Sequence, residues 1–292
     1  MCLTPPQVCS YSCVYCTLDK TKNLQIKREC YRPPGEIFEE ISKALDDSTP
    51  DHITFIGDGE TTLYQNLGTL IRTLKGAFNI PIAVKTNSSL LYRKDVRQDL
   101  EKADIVIPSL DAGDARVFNL INRPHAGIDF HMLVKGLTEF RKEFGGLIWM
   151  EVMLVRGIND AKEELLKIKQ ILERISPDRI YLLTPVRPSI EEWVSVPDQK
   201  SLNRAIEILG QLSSTALYEP NEIGIPGYRS AREAILSICS HYSLRYEQAE
   251  DIVKHFGDNK IIGLLISEGL LAHVNRNGHD YLILKPKTEN KT

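Results

Sequence analysis

The 292-residue sequence predicts an α/β chain, a partial (β/α)6 TIM-like barrel followed by a small second unit of helices and a hairpin. Two observations carry this. Short apolar runs alternate with segments whose apolar residues recur at spacings of three and four, the pattern of a parallel sheet wrapped by helices. The polar clusters of the first two thirds each fall just after an apolar run, and a barrel collects its chemistry at the C-terminal ends of its strands. A doubly wound open sheet shares the alternation and is the structural alternative.

Read in order, Cys2-Leu3-Thr4 is the end of a strand, and Pro5-Pro6 then forces extended or turning backbone. Residues 19–32 are charged and irregular. Over 35–45, Ile37, Ile41, Ala44 and Leu45 share one helical face. A short strand at 51–56 leads to a helix marked by Leu67, Leu70, Ile71, Leu74 and Phe78. The alternation continues with strand 81–84, helix 94–102, strand 105–111, a turn over 116–121 and helix 129–144. Strand 147–155, helix 161–175, strand 180–186 and helix 199–212 complete the set.

Pro220, Gly224, Pro226 and Gly227 make 213–227 a linker. Helices follow at 231–241, at 246–256 with Ser243 as a start signal, and at 259–268, closed by Gly269. Residues 270–274 and 280–284 flank Asn275 to His279 as a hairpin. Three helices and a hairpin resemble a winged helix-turn-helix unit, with 259–268 in the recognition position. The expected division is therefore a barrel at 1–212, a linker at 213–227, a winged-helix-like unit at 228–287 and a tail at 288–292.

A hydrophobic content of 42% and a charged content of 26% are those of a globular chain. The formal net charge of -3 argues against a strongly cationic nucleic-acid binder and leaves room for a local basic patch. No apolar run approaches the roughly 20 residues of a membrane helix, so no membrane partner is expected. No basic-then-apolar leader follows Met1. Six cysteines, three of them clustered, fit a reducing cytoplasm better than a disulfide framework.

Those three are Cys9, Cys13 and Cys16, at spacings of four and three. Thiolates at that density are soft ligands, suited to zinc or to an iron–sulfur cluster. A structural zinc site needs four closed ligands, and no second Cys or His pair stands at a matching interval. Three thiolates leave one coordination position open, which suggests chemistry. Cys2, Cys30 and Cys239 are scattered singly; the latter two read as small core residues.

The spacing Cys9-x3-Cys13-x2-Cys16, with Tyr15 just before the last cysteine, resembles the signature of the radical S-adenosylmethionine (SAM) enzymes. The closest resemblance is to the iron–sulfur oxidoreductase group related to the tRNA wyosine synthases. It covers roughly residues 1–212, through 9–28, 54–91, 109–125, 150–160 and 184–188. It implies that the three thiolates hold three irons of one 4Fe–4S cluster, that SAM chelates the fourth, and that an electron from a donor such as flavodoxin or ferredoxin cleaves SAM to a 5′-deoxyadenosyl radical. It also implies more sequence ahead of the cluster loop than this chain carries. The wyosine enzymes have a second cluster, for which this chain lacks the cysteines.

By the same resemblance, Gly57-Asp58-Gly59-Glu60 is the segment whose backbone meets the SAM amino group, although Asp58 splits the glycines and Thr61 replaces the usual proline. A bulky residue at Gly59 is expected to clash with SAM and to spare the cluster. Asn87 and Ser88, then Ser109 and Asp111, are expected to hold the ribose and the SAM carboxylate; by themselves such residues are common turn-formers. Arg123 is a candidate bidentate partner for the SAM carboxylate or a substrate anion, against a plain surface arginine. Glu151, inside the apolar run 148–155, is costly to bury unpaired and is expected to face ligand, or else to neutralise Lys85.

Three functions compete: a radical SAM enzyme modifying RNA, an activase installing a radical on a partner protein, and a metal-responsive DNA-binding regulator. The C-terminal unit would grip nucleic acid or protein, and its removal is expected to spare the SAM chemistry. Its recognition segment offers one cation, Lys260, beside Ile261, Ile262, Leu264 and Leu265, which is thin for phosphate binding. A regulator leaves a catalytic barrel unexplained, so it ranks last.

Overall fold

Six parallel strands carry the first three quarters of the chain, in the order in which they occur in the sequence. The computed structural model describes every residue except 1, 19, 47–49, 211, 213, 218–227, 242, 277 and 286–292, with backbone only for 214–217, 240 and 241. A two-residue strand β1 (Val8–Cys9) pairs in parallel with β2 (Asn23–Leu24) ahead of the main sheet. The sheet proper is β3 (Ile53–Phe55), β4 (Ile82–Thr86), β5 (Ile105–Pro108), β6 (Leu147–Met153), β7 (Arg179–Leu183) and β8 (Ser214–Leu217). All neighbouring pairs are parallel. A doubly wound sheet reverses its strand order at a switch point. This order runs 3-4-5-6-7-8 without reversal, which excludes the doubly wound alternative.

Six helices fall where the apolar spacing puts them, α1 (Pro34–Asp46), α2 (Leu67–Ala77), α3 (Lys94–Leu100), α5 (Phe130–Glu143), α6 (Lys162–Ile175) and α7 (Gln199–Leu209), and α4 (Ala115–Ile121) is added to them. On α6, Leu165, Ile168, Leu172 and Ile175 are fully buried, Glu163 and Glu164 sit in the first turn, and Arg174 sits in the last. Each such buried side chain contributes about 1.5–3 kcal/mol, and the charges complement the helix dipole. Val84, Val106, Met150, Val152, Ile180 and Leu182 from the strands belong to one buried core.

Two expectations are corrected. Residues 116–121 are a helix and not a turn, because the Asp114 carboxylate accepts from the Val117 amide at 2.9 Å and caps α4. The expected linker at 213–227 loses Ser214–Leu217 to β8, which pairs with β7. Four residues before a Gly/Pro-rich stretch carry too short a pattern to declare a strand; the open edge of β7 decides it. The rest of that stretch, 218–227, lies outside the described residues.

The C-terminal residues form α8 (Ala231–His241), β9 (Leu244–Arg245), α9 (Tyr246–Phe256), α10 (Ile261–Ser267), β10 (Leu271–Arg276) and β11 (His279–Leu284). Their antiparallel sheet has the order β10-β11-β9. Ala234, Ile235, Ile252, Leu265, Leu271 and Leu282 build a core distinct from that of the barrel.

Candidate functional site

The cysteine loop lies across the C-terminal rim of the sheet, and backbone hydrogen bonds fasten it on every side. The Gln7 amide donates to the Asp58 carbonyl at 2.8 Å, and the Glu60 amide donates to the Val8 carbonyl at 3.1 Å. From the turn after α4, the Ile121, Asn122 and Arg123 carbonyls accept from Val14 and Ser12, while the His125 amide donates to Ser10. The Ile190 amide closes the circuit on the Cys16 carbonyl at 3.0 Å.

Inside this circuit Cys9, Cys13 and Cys16 line one cavity of about 400 Å³. The other walls are successive strand ends: Gly57 to Thr61 after β3, Lys85 and Thr86 on β4 with Asn87 just after it, Ser109 after β5, Met153 on β6 and Arg187 after β7. A larger groove of about 630 Å³ between α5 and α6 holds none of the expected site residues. Asn87 Nδ2 points at the Cys9 sulfur at 3.5 Å, and Asn122 Nδ2 points at the Cys13 sulfur at 3.5 Å. Burial, reinforced by the Glu60 charge, pushes the Cys9 thiol up to about 12. Burial and the Asp111 charge raise Cys13 well above its ordinary value. Free thiols here keep their protons, so a bound cation must displace them.

Glu60 is buried under the thiols, and its Oε1 accepts from the Thr62 amide at 2.9 Å and from the Thr62 and Thr86 hydroxyls at 2.5 Å each. Its Oε2 takes the Asn87 amide at 2.7 Å. Burial raises its pKa, and those four donors oppose the rise. Glu60 therefore ties β3 to β4 and holds Asn87 at the rim.

Several expected contacts fall elsewhere. Asp111 is buried outside the cavity lining: Oδ1 accepts from the Met153 amide at 2.9 Å, and Oδ2 accepts from the Tyr15 hydroxyl at 2.5 Å and from Asn122 at 2.7 Å. Accepting three hydrogen bonds from behind the lining, it orients Tyr15. Ser88 has φ of 69° and turns its hydroxyl onto the Ser109 carbonyl at 2.8 Å, away from the cavity. Arg123 lies outside the lining and pairs with Glu191 at 2.5 Å. Glu151 also lies outside it and takes the Lys85 ammonium at 2.8 Å, the neutralised pair that the apolar run allowed.

Gly59 has a different role from the expected one. A Cβ there would stand 1.7 Å from the Val8 carbonyl oxygen, so the glycine admits the cysteine loop itself. Sequence reading missed Asn122, Tyr11, Met153 and Arg187. Asn122 and Arg123 are adjacent and equally polar, and nothing local chooses between them.

The donor set suits an iron–sulfur cluster: Cys9, Cys13 and Cys16 bring three soft donors to one cavity, and a cluster takes each thiolate at a separate iron. The Tyr11 hydroxyl, buried in the same lining, has no hydrogen-bond partner among the described residues, which leaves a donor for an occupant.

The family model described as the radical SAM superfamily matches residues 3–168. The chain belongs to the radical SAM superfamily. SAM and a 4Fe–4S cluster are the cofactors of that superfamily of enzymes. A UPF0026 protein of Methanocaldococcus jannaschii is 31% identical over 297 residues, covering 98% of this radical SAM chain and 92% of the archaeal one. A Brachyspira hyodysenteriae protein named GTPase Obg is 43% identical over 202 residues; the match covers 69% of this chain and only 30% of that protein. A probable dual-specificity RNA methyltransferase RlmN of Endomicrobium trichonymphae is 27% identical over 220 residues, 72% of this chain and 61% of its own length. The fold is shared with the structure of TYW1 with a lysine-pyruvate adduct bound, with a TM-score of 0.54, 22% identity and 73% of each chain covered. Among the described residues no helix is long and apolar enough to cross a membrane.

Proposed function

We propose that this chain holds one 4Fe–4S cluster through Cys9, Cys13 and Cys16, binds SAM beside it, and modifies an RNA substrate by radical chemistry. The observation that carries the reading is the convergence of three thiols with five successive strand ends on one cavity. When bound, the reduced cluster and SAM supply one-electron cleavage of a carbon–sulfur bond, yielding methionine and a 5′-deoxyadenosyl radical. Gly57, Asp58, Gly59 and Glu60 present backbone groups along one side of the cavity, while Asn87 and Ser109 offer polar contacts from the next two strand ends. Tyr15, which lines the cavity and is held by Asp111, is the candidate to contact bound SAM. Ser88, Asp111, Arg123 and Glu151 act behind these as supports.

The RNA reading draws on the RNA methyltransferase among the relatives and on the C-terminal unit. Its element order, helix, strand, two helices and a hairpin, supports a winged-helix domain beginning near residue 228. A cytoplasmic location and a small iron–sulfur or flavin electron donor complete the proposal. Anaerobic reconstitution tests it: the wild type should carry about four irons and four sulfides, show a reduced-cluster paramagnetic signal, and form 5′-deoxyadenosine with SAM. The triple alanine variant of Cys9, Cys13 and Cys16 should lose all three. A full cluster signal in that variant sinks the assignment, and SAM cleavage that no RNA stimulates sinks the substrate class.

A further inference from the structure

The segment between β7 and α7 is held from two sides. On its inner side Arg187 lines the thiol cavity, and the Ile190 amide donates to the Cys16 carbonyl at 3.0 Å. Glu191 pairs with Arg123, whose own carbonyl accepts from the Ser12 amide of the cysteine loop. On its outer side the C-terminal hairpin meets it. The hydroxyl of Tyr281, a fully buried residue, donates to the Val186 carbonyl at 2.8 Å. The Arg276 Nη2 donates to the carbonyls of both Glu191 and Glu192, at 3.1 Å each. Arg187, which lines the cavity, is thus bracketed by carbonyls tied to the hairpin.

We propose that the β10–β11 hairpin latches the cysteine loop: Arg276 and Tyr281 are positioning residues that fix the 186–192 segment and, through it, Cys16 and Arg187. The proposal rests on reading the cavity as the cluster and SAM site. The donors here are side chains and the acceptors are main-chain carbonyls, so the contact registers the segment's position whatever its side chains are. Its two anchor points lie on either side of the residue that enters the cavity. A macromolecule seated on the C-terminal unit would therefore act on the cavity through the hairpin, and by linkage an occupied cavity would act on the hairpin. This replaces the expectation that the unit can be removed without touching the SAM chemistry.

Tyr281→Phe keeps the buried ring and removes one donor. Arg276→Ala leaves the hairpin ladder intact, because that ladder is made by backbone. Each lost hydrogen bond should shift the ratio of latched to open segment by about two- to tenfold. In the metal-free full chain, the double variant should show faster hydrogen exchange at the Ile190 amide, with exchange in α8 and α9 unchanged. In the reconstituted protein, KM for SAM should rise by roughly tenfold at wild-type iron content, and Arg276→Lys in place of Arg276→Ala should recover part of it. Unchanged Ile190 exchange together with unchanged KM in the double variant overturns the latch. A wild type that binds neither cluster nor SAM overturns instead the reading of the cavity, and the exchange measurement on the metal-free chain still decides the latch.

Discussion

Gly59→Ala is the sharpest test of how the site is built. The added Cβ would sit 1.7 Å from the Val8 carbonyl oxygen and 2.6 Å from its carbon. Ordinary contact begins near 3.4 Å, so the two backbones must part by about 1.7 Å (3.4 minus 1.7). Neither side is a flexible side chain that can swing away. The Glu60 amide to Val8 carbonyl bond, 3.1 Å in the native chain, cannot survive such a shift. Overpacking costs about 1–3 kcal/mol and the lost bond about 1 kcal/mol, so the variant should lose about 2–4 kcal/mol. Because Val8 adjoins Cys9, iron retention should fall with stability, where a residue that merely crowds SAM would leave iron untouched. Denaturant unfolding of the metal-free chain and iron analysis after anaerobic reconstitution are the two measurements. Gly35→Ala, with nothing within 4 Å of its Cβ, is the control and should be close to neutral. A Gly59→Ala chain with native stability and full iron would falsify the argument.

Three other perturbations address buried polar and charged groups, two at the site and one, Asp104, at the opposite end of the sheet. Tyr11→Phe removes a buried hydroxyl without a partner, so the metal-free chain should gain about 1–3 kcal/mol in denaturant unfolding; a loss of stability would mean that the hydroxyl is satisfied inside the protein. Lys85→Met strands Glu151, whose side chain is only 10% exposed, and should cost about 1–3 kcal/mol. Adding Glu151→Leu should recover most of that, and a double variant no better than the single one contradicts the pairing. Burial opposes ionisation of Asp104, but the Lys75 ammonium at 2.6 Å and the Ile82 amide at 2.7 Å outweigh it and hold the carboxyl below its ordinary 3.8. A depressed carboxyl adds stability above the unfolded value and loses it as pH falls through the folded one. Thermal unfolding of Asp104→Asn should therefore trail the wild type at pH 7 and converge with it below about pH 3.8; a gap independent of pH refutes the charge argument.

Much of this molecule is local, and that part was legible in the sequence. Apolar spacing placed every helix but α4 to within a few residues, and the three cysteines, whose spacing is a property of one short segment, pointed to the cavity that they line. Polar residues after apolar runs marked the rim where the cavity lies. The tertiary structure decided which of those residues turns inward. Asn87 faces the cavity while Ser88, at a positive φ, turns away; Asn122 reaches Cys13 while Arg123 pairs with Glu191; Ser109 lines the wall while Asp111 holds Tyr15 from behind. In each pair both residues are polar and stand within two positions of each other, and the partners of Ser88, Arg123, Asp111 and Asn122 lie 21, 68, 96 and 109 positions away, where a side-chain contact decides. The same holds for β8, four residues that become a strand only because β7 offers an unpaired edge, and for Gly59, whose missing side chain matters because Val8 crosses it. Local pattern specifies what a segment is, and a carboxylate or a strand edge finds its partner only when the chain has folded back on itself, since hydrogen-bond energy depends on angstrom-scale distances that sequence separation does not encode.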